Sequence, residues 1–216
     1  GLYRSLAEVC QEIAALEDDE NRRFGYLLKA GNAFLDSGED LELAIEPLAE
    51  AHALRPNDLD AVALLSDANT SVGRIDAAAD ILNATLATMK NRRSREIGTL
   101  YHRVARVAQA RGDRQGEMAA LTTALEMDPQ NGVAALELSQ IAIELGDLDL
   151  AARALRALTM LRGEGPIPRA LAYKQLGEIA WAQGDQKKAV IMLKRALDDD
   201  PRLEEARTLL AQIEGR

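Results

Sequence analysis

One glycine recurs along this chain, at Gly38, Gly73, Gly112, Gly146 and Gly184, with gaps of 35, 39, 34 and 38 residues. Apolar residues at helical spacing run up to each glycine and resume after it, so each reads as the turn of a helix–turn–helix. A near-constant period of this length means one supersecondary unit stacked about five times, because a lone hairpin cannot bury its apolar face. The expected fold is all-α, an α-solenoid rather than a closed globule. Short and long gaps alternate, so the working unit is a pair of repeats about 73 residues long.

Residues 170–201 are the clearest copy. Tyr173, Leu176 and Ile179 share one face of a first helix, Gly184-Asp185 ends it, and Ala189, Leu193 and Ala196 form the apolar stripe of a second. Pro201 stops that helix, since it lacks an amide hydrogen and clashes with the preceding turn. Gly31, Ser66, Ala105, Ser139 and Gly177 are all small and stand seven residues before their turn glycines, where two helices of a hairpin approach closely. Leu48, Leu82, Leu121, Leu155 and Leu193 follow the glycines by nine residues (ten in the first copy) and read as the large plugs between hairpins.

These residues resemble the tetratricopeptide repeat (TPR) family, which carries a small residue in its first helix, Gly at the turn, two alanines in its second helix and a closing Pro. Ala44, Ala78, Ala151 and Ala189 match the first alanine, Ala51, Ala124 and Ala196 the second, and Pro56, Pro129 and Pro201 the proline. The resemblance covers roughly residues 24–214 and implies a right-handed solenoid of about five repeats. The expected repeats are 24–58, 59–97, 98–131, 132–169 and 170–203. Before them, residues 1–23 read as a second helix of a truncated repeat, with Leu6, Val9, Ile13 and Leu16 as its apolar face, and an acidic linker Glu17–Arg23. After them, 204–216 read as a capping helix in which Leu210 and Ile213 cover the last hairpin. The second and fourth copies depart from the pattern: Thr85 and Leu158 replace the second alanine, Lys90 and Gly163 the proline, and longer linkers follow (Asn91–Ile97 and Glu164–Arg169). Glu117 stands where the third copy's first alanine belongs; a one-residue shift that leaves it exposed is the preferred account, with pairing to Arg103 or Arg106 the alternative.

A content of 47% apolar residues supports a sizeable core, and only 3% aromatics suits closely packed helices rich in Ala and Leu. The single Cys10 excludes a disulfide framework or a Cys-rich metal site, and no apolar run approaches the length of a membrane span. The chain begins with Gly rather than Met and has an Ala/Leu/Arg-rich style, so the expectation is a segment of a longer, bacterial, cytoplasmic protein. Its last four residues, Ile213-Glu214-Gly215-Arg216, match a protease-tag sequence as well as native sequence. The net charge of −9 is concentrated early: residues 1–58 hold 5 basic and 13 acidic side chains. Such a balance repels nucleic acid and anionic membranes.

The sequence holds no phosphate-cradling loop, nucleophile elbow, zincin motif or Cys/His cluster. His52 and His102 fall in different repeats. No cofactor, no metal and no catalytic group are expected, and the chain reads as a non-enzyme. Binding is the better hypothesis. The resemblance implies a concave groove lined by the first helices, which places Leu28, Asn32 and Leu35 there first, then Ala63, Asp67 and Thr70. His102, Arg106 and Gln109 follow, then Leu136, Gln140 and Ile143, then Lys174, Glu178 and Trp181. Trp181, the one tryptophan, is either a groove hot spot or shielded by the final helix. A clamp for acidic chaperone tails does not fit, because Leu28 and Leu64 stand where that clamp needs Lys and Asn.

The expected function is thus a non-catalytic scaffold that holds a peptide segment or a partner domain in the groove, with apolar anchors. The alternatives are a peptide-sensing regulatory domain of a larger enzyme or transcription factor, and a self-assembling spacer. Two charge runs, Glu17-Asp18-Asp19-Glu20 and Lys90, Arg92, Arg93 and Arg95, read as solvated linkers; their sharper reading is head-to-tail self-association.

Overall fold

A computed structural model describes residues 1–89 and 94–215. All five turn glycines have the left-handed backbone that ends a helix, with φ from 67° at Gly38 to 80° at Gly73 and Gly146. Between them the described residues form twelve α-helices and one 3-10 turn, with no strand. The first unit, Gly1–Glu117, holds α1 (Leu2–Leu16), α2 (Glu20–Ser37), α3 (Ile45–Leu54), α4 (Leu59–Ser71), α5 (Ile75–Thr88) and α6 (Arg95–Ala110). The second, Met118–Arg216, holds α8 (Gly132–Glu144), α9 (Leu148–Thr159), α10 (Arg169–Ala182), α11 (Gln186–Asp199) and α12 (Glu204–Glu214). The boundary between the units falls inside α7 (Arg114–Met127).

Helix starts follow local chemistry. Asp19, Asp58, Ser94, Asn131, Asp147 and Asp185 each accept a backbone N–H from the first turn of the helix that follows. The cap at Asp19 shortens the acidic linker: α2 begins at Glu20, not after Arg23, because Asp19 Oδ1 accepts the Arg22 amide at 2.9 Å. In the first copy the extra residue after the turn glycine is absorbed by a 3-10 turn over Leu41–Ala44, with Asp40 left-handed at φ 48°.

The core is a ladder of small residues and leucines. Leu48, Leu82, Leu121, Leu155 and Leu193 are fully buried, as are Ala44, Ala51, Ala78, Ala124, Ala151, Ala189 and Ala196. The facing small residues explain themselves by contact: a Cβ on Gly31 would overlap Leu48 Cγ, and one on Gly177 would lie 2.8 Å from Leu193 Cγ. Ser66 and Ser139 take the same place with their hydroxyls donating to Ala63 O at 2.8 Å and Leu136 O at 2.7 Å, so neither buries an unpaired group. At the end of the second unit, α12 closes the last hairpin with Ala206 and Ile213 buried and Leu210 packed beside them.

Two expectations are corrected. In α1 the buried residues are Ala7, Cys10 and Ala14, while Leu6, Val9, Ile13 and Leu16 are exposed. The small residues face α2 because a second helix packs its alanines against its neighbours; Ala7 and Ala14 are seven apart, like Ala44 and Ala51. Glu117, expected to be exposed, is buried at 6% exposure, so the register of α7 holds. Its carboxylate accepts from Arg114 Nη1 at 2.7 Å, not from Arg103 or Arg106. A buried ion pair is often replaceable by an apolar side chain at no loss, whereas removing one partner strands the other charge. Arg114→Ala should therefore cost about 1–3 kcal/mol, and adding Glu117→Ala, the family's residue, should return stability to wild type or above. Chemical denaturation of the two variants checks both numbers.

Candidate functional site

Each unit presents its first helices as a separate face. In the first unit α4 packs beside both α2 and α6. Leu28 and Leu35 on α2 are half-buried, tied to the core beneath, and Asn32 is exposed with its amide donating to Asp36 Oδ2 at 3.0 Å. On α4, Asp67 and Thr70 are half-buried, and Thr70 Oγ1 donates to Ser66 O at 2.8 Å. On α6, His102 is half-buried while Arg106 and Gln109 are exposed.

Asp67 is the centre of this face. Arg103 Nε and Nη2 donate to its Oδ2 at 3.1 and 2.8 Å, and Arg106 Nη1 donates to Oδ1 at 3.3 Å. Two guanidiniums on one carboxylate leave an excess positive charge, carried by the more exposed Arg106. The structure thus brings Asp67 and Arg106 together and adds Arg103, which was not among the expected groove residues. The missing signal was a contact across 36 residues, which no local pattern encodes.

In the second unit Gln140 and Ile143 of α8 are exposed and Leu136 is half-buried. On α10, Trp181 is 45% exposed, so α12 does not cover it. Lys174 is half-buried; its Nζ bonds Glu178 Oε1 at 3.1 Å and Glu205 Oε2 of α12 at 2.6 Å. The hydrogen bond to Glu205 raises the Lys174 ammonium above its ordinary pKa, and the same bond holds the Glu205 carboxyl below its own. Lys174 therefore fastens α12 beside α10, a role its sequence position did not reveal. Glu205, four residues past Pro201, was missed because nothing distinguishes it from neighbouring Glu204 in sequence.

His52, on α3, is half-buried with Nδ1 lacking a hydrogen-bond partner. Among the described residues no group of three His, Cys, Asp or Glu side chains is placed to hold a metal ion, and no helix is long and apolar enough to cross a membrane. Of the charged linkers, Lys90, Arg92 and Arg93 lie outside the described residues. Glu17 pairs with Arg22 at 3.2 Å, which commits part of the acidic run locally.

Comparison with known proteins agrees with this architecture. The tetratricopeptide repeat family's sequence profile matches residues 170–213. No curated protein matches the chain in sequence. Among solved structures, the crystal structure of the MamA protein is similar with a TM-score of 0.60 at 19% identity, over 83% of this chain and 92% of that one. YrrB, described as a TPR protein with an unusual peptide-binding site, is similar with a TM-score of 0.54 at 20% identity, over 85% and 90%. PilW, described as a widely conserved type IV pilus biogenesis factor, gives 0.53 at 16% identity, over 94% and 98%. The chain is similar to the tetratricopeptide repeat family, in sequence at residues 170–213 and in its all-α solenoid fold over most of its length.

Proposed function

We propose that this chain is a non-catalytic protein–protein interaction scaffold that binds a peptide segment or a partner domain on its first-helix faces. Stacked helical hairpins offer extended, rigid surfaces, and recognition is what such surfaces do well. The observation that carries the reading is Trp181. The chain's one tryptophan is left 45% exposed, on the same side of α10 as Lys174 and Glu178, although burying it would have gained stability. Trp and Arg are the residue types enriched at binding hot spots. Arg106, held by Asp67 with its guanidinium half-exposed, gives the first unit a preorganised polar anchor. The peptide-binding site named for YrrB supports a similar use of the fold here.

The test is a peptide-display selection against the purified chain, followed by calorimetric titration of an enriched peptide. Trp181→Ala should weaken a peptide held on the second unit's face, and Arg106→Glu one held on the first unit's face, each by about thirtyfold, the 2 kcal/mol of a hot spot. Asn83→Ala, an exposed change on α5, should leave it unchanged. Equal affinity for all of these variants would remove the site from the first helices.

A further inference from the structure

We propose a second binding site, between α9 and α11, that takes an acidic peptide segment carrying one bulky apolar side chain. Its floor is Tyr173 and Leu176 of α10, and its apolar walls are Met160 and Met192, around a volume of about 270 Å³. Successive residues of an α-helix turn by about 100° and rise about 1.5 Å, so Leu176 stands about 140° around α10 from Trp181, and Tyr173, about 80° around, lies about 12 Å along the axis from it. This site is therefore separate from the first-helix face and does not rest on that assignment.

Size decides what enters. Small-molecule pockets span about 300–1,000 Å³, and this one falls just below, a space for one large side chain. Methionine walls are flexible and polarizable, and reshape around an apolar group. Met160 is 75% exposed, ready to fold over an occupant.

Charge decides what flanks it. Arg156, Lys188 and Arg195 rim the pocket with no carboxylate in its lining. Six arginines elsewhere in this acidic chain, Arg4, Arg22, Arg23, Arg74, Arg111 and Arg169, find carboxylates. The three rim cations have no ion-pair partner among the described residues, and Arg195 instead stands 5.8 Å from the centre of the Tyr173 ring. Three adjacent, uncompensated cations around an apolar floor complement carboxylates on either side of an apolar residue.

The neighbouring repeat shows that this is not a by-product of stacking hairpins. The same position between α7 and α9 has Leu138 as its floor, in the place of Leu176, but the space is only about 160 Å³. There Leu150 stands where Lys188 stands here, four residues past the turn glycine, and Glu126 where Met160 stands. The last repeat has exchanged a filling leucine for a cation and a carboxylate for a thioether. The chain's own acidic run is a poor occupant, because Glu17 is paired with Arg22 and Asp19 caps α2. The proposed occupant is accordingly a segment of a partner protein.

The test uses the whole chain and a fluorescein-labelled pentapeptide with a central Phe flanked by two Glu on each side. Binding is followed by anisotropy and by the methyl resonances of the five methionines. Met160 and Met192 should shift while Met89, Met118 and Met127 stay. Lys188→Leu, which installs the preceding repeat's residue, and Arg195→Gln should each weaken binding at least tenfold, and so should replacing Phe by Ser in the peptide. Absence of binding, unmoved Met160 and Met192 methyls, or affinity indifferent to these changes would overturn the site. Tighter binding of a 20-nucleotide single-stranded DNA or of phosphatidylserine vesicles at the same methyls would overturn the peptide assignment in favour of a phosphate ligand. Trp181 emission, read in the same titration, should not change, which separates failure here from failure on the first-helix face.

Discussion

Leu193→Ala is expected to destabilise the protein by roughly 2–5 kcal/mol, and to do so at the end of the second unit first. Leu193 is fully buried in a cluster that joins α10, α11 and α12 through Ala180, Ala189, Ala206 and Ile213. Removing its branched end forfeits the transfer energy of the lost atoms and leaves a cavity, which the alanines around it are too short to fill. Collapse is resisted because helix backbones carrying alanines already lie close together. In a repeat array each hairpin leans only on its neighbours, so the loss spreads by contact and fades with distance. Hydrogen exchange should therefore accelerate most in α10, α11 and α12 and least in α1 and α2. Uniform acceleration along the chain would show one cooperative unit instead.

Gly31→Val is expected to be the costliest change at a small-residue position, at about 3 kcal/mol. A Cβ alone on Gly31 overlaps Leu48 Cγ, and Leu48 is fully buried with nowhere to turn. Glycine is a poor helix residue, so replacing it by valine would ordinarily gain about 0.3 kcal/mol; here the overlap outweighs that gain. Gly177→Val should cost less, because its Cβ would stop 2.8 Å from Leu193 Cγ. The diagnostic is non-additivity. In the Gly31→Val/Leu48→Ala double variant the valine occupies the space the leucine left, and the two losses should sum to less than their separate values. Denaturant melts of the three variants and wild type supply the cycle.

These two predictions rest on residues that were legible in the sequence. The turn glycines, the small residue seven before each and the leucine nine after it share one periodicity, and backbone geometry enforces all three together. Face assignment in α1 failed for a physical reason. Leu6, Val9, Ile13 and Leu16 carry more hydrophobicity than Ala7 and Ala14, so hydrophobicity alone chose the wrong side. The seven-residue alanine spacing that α1 shares with Ala44 and Ala51 at α3 and with Ala189 and Ala196 of α11 held the correct answer. Glu117 failed differently: the expected one-residue shift does not occur, and that expectation underrated what one arginine three residues away can neutralise.

The candidate site was legible only in outline. The family resemblance carried Asp67, Arg106, Lys174 and Trp181 to the first-helix side, but it says nothing of the partners those side chains find. Arg103 reaches Asp67 and Lys174 reaches Glu205 across helices, and such pairs depend on rotamers and interhelical distance. The pocket between α9 and α11 was hidden for a related reason. It arises where one repeat departs from its neighbour at Lys188 and Met160, and matching copies to a shared pattern discards such differences.

The emission of Trp181 tests the central claim most directly, because a single tryptophan gives an unmixed signal from the first-helix face. A peptide selected against the whole chain is titrated to saturation, with occupancy fixed independently by calorimetry. The account predicts a blue shift as the half-exposed indole is covered. Full occupancy with unchanged emission would contradict it and place recognition away from α10.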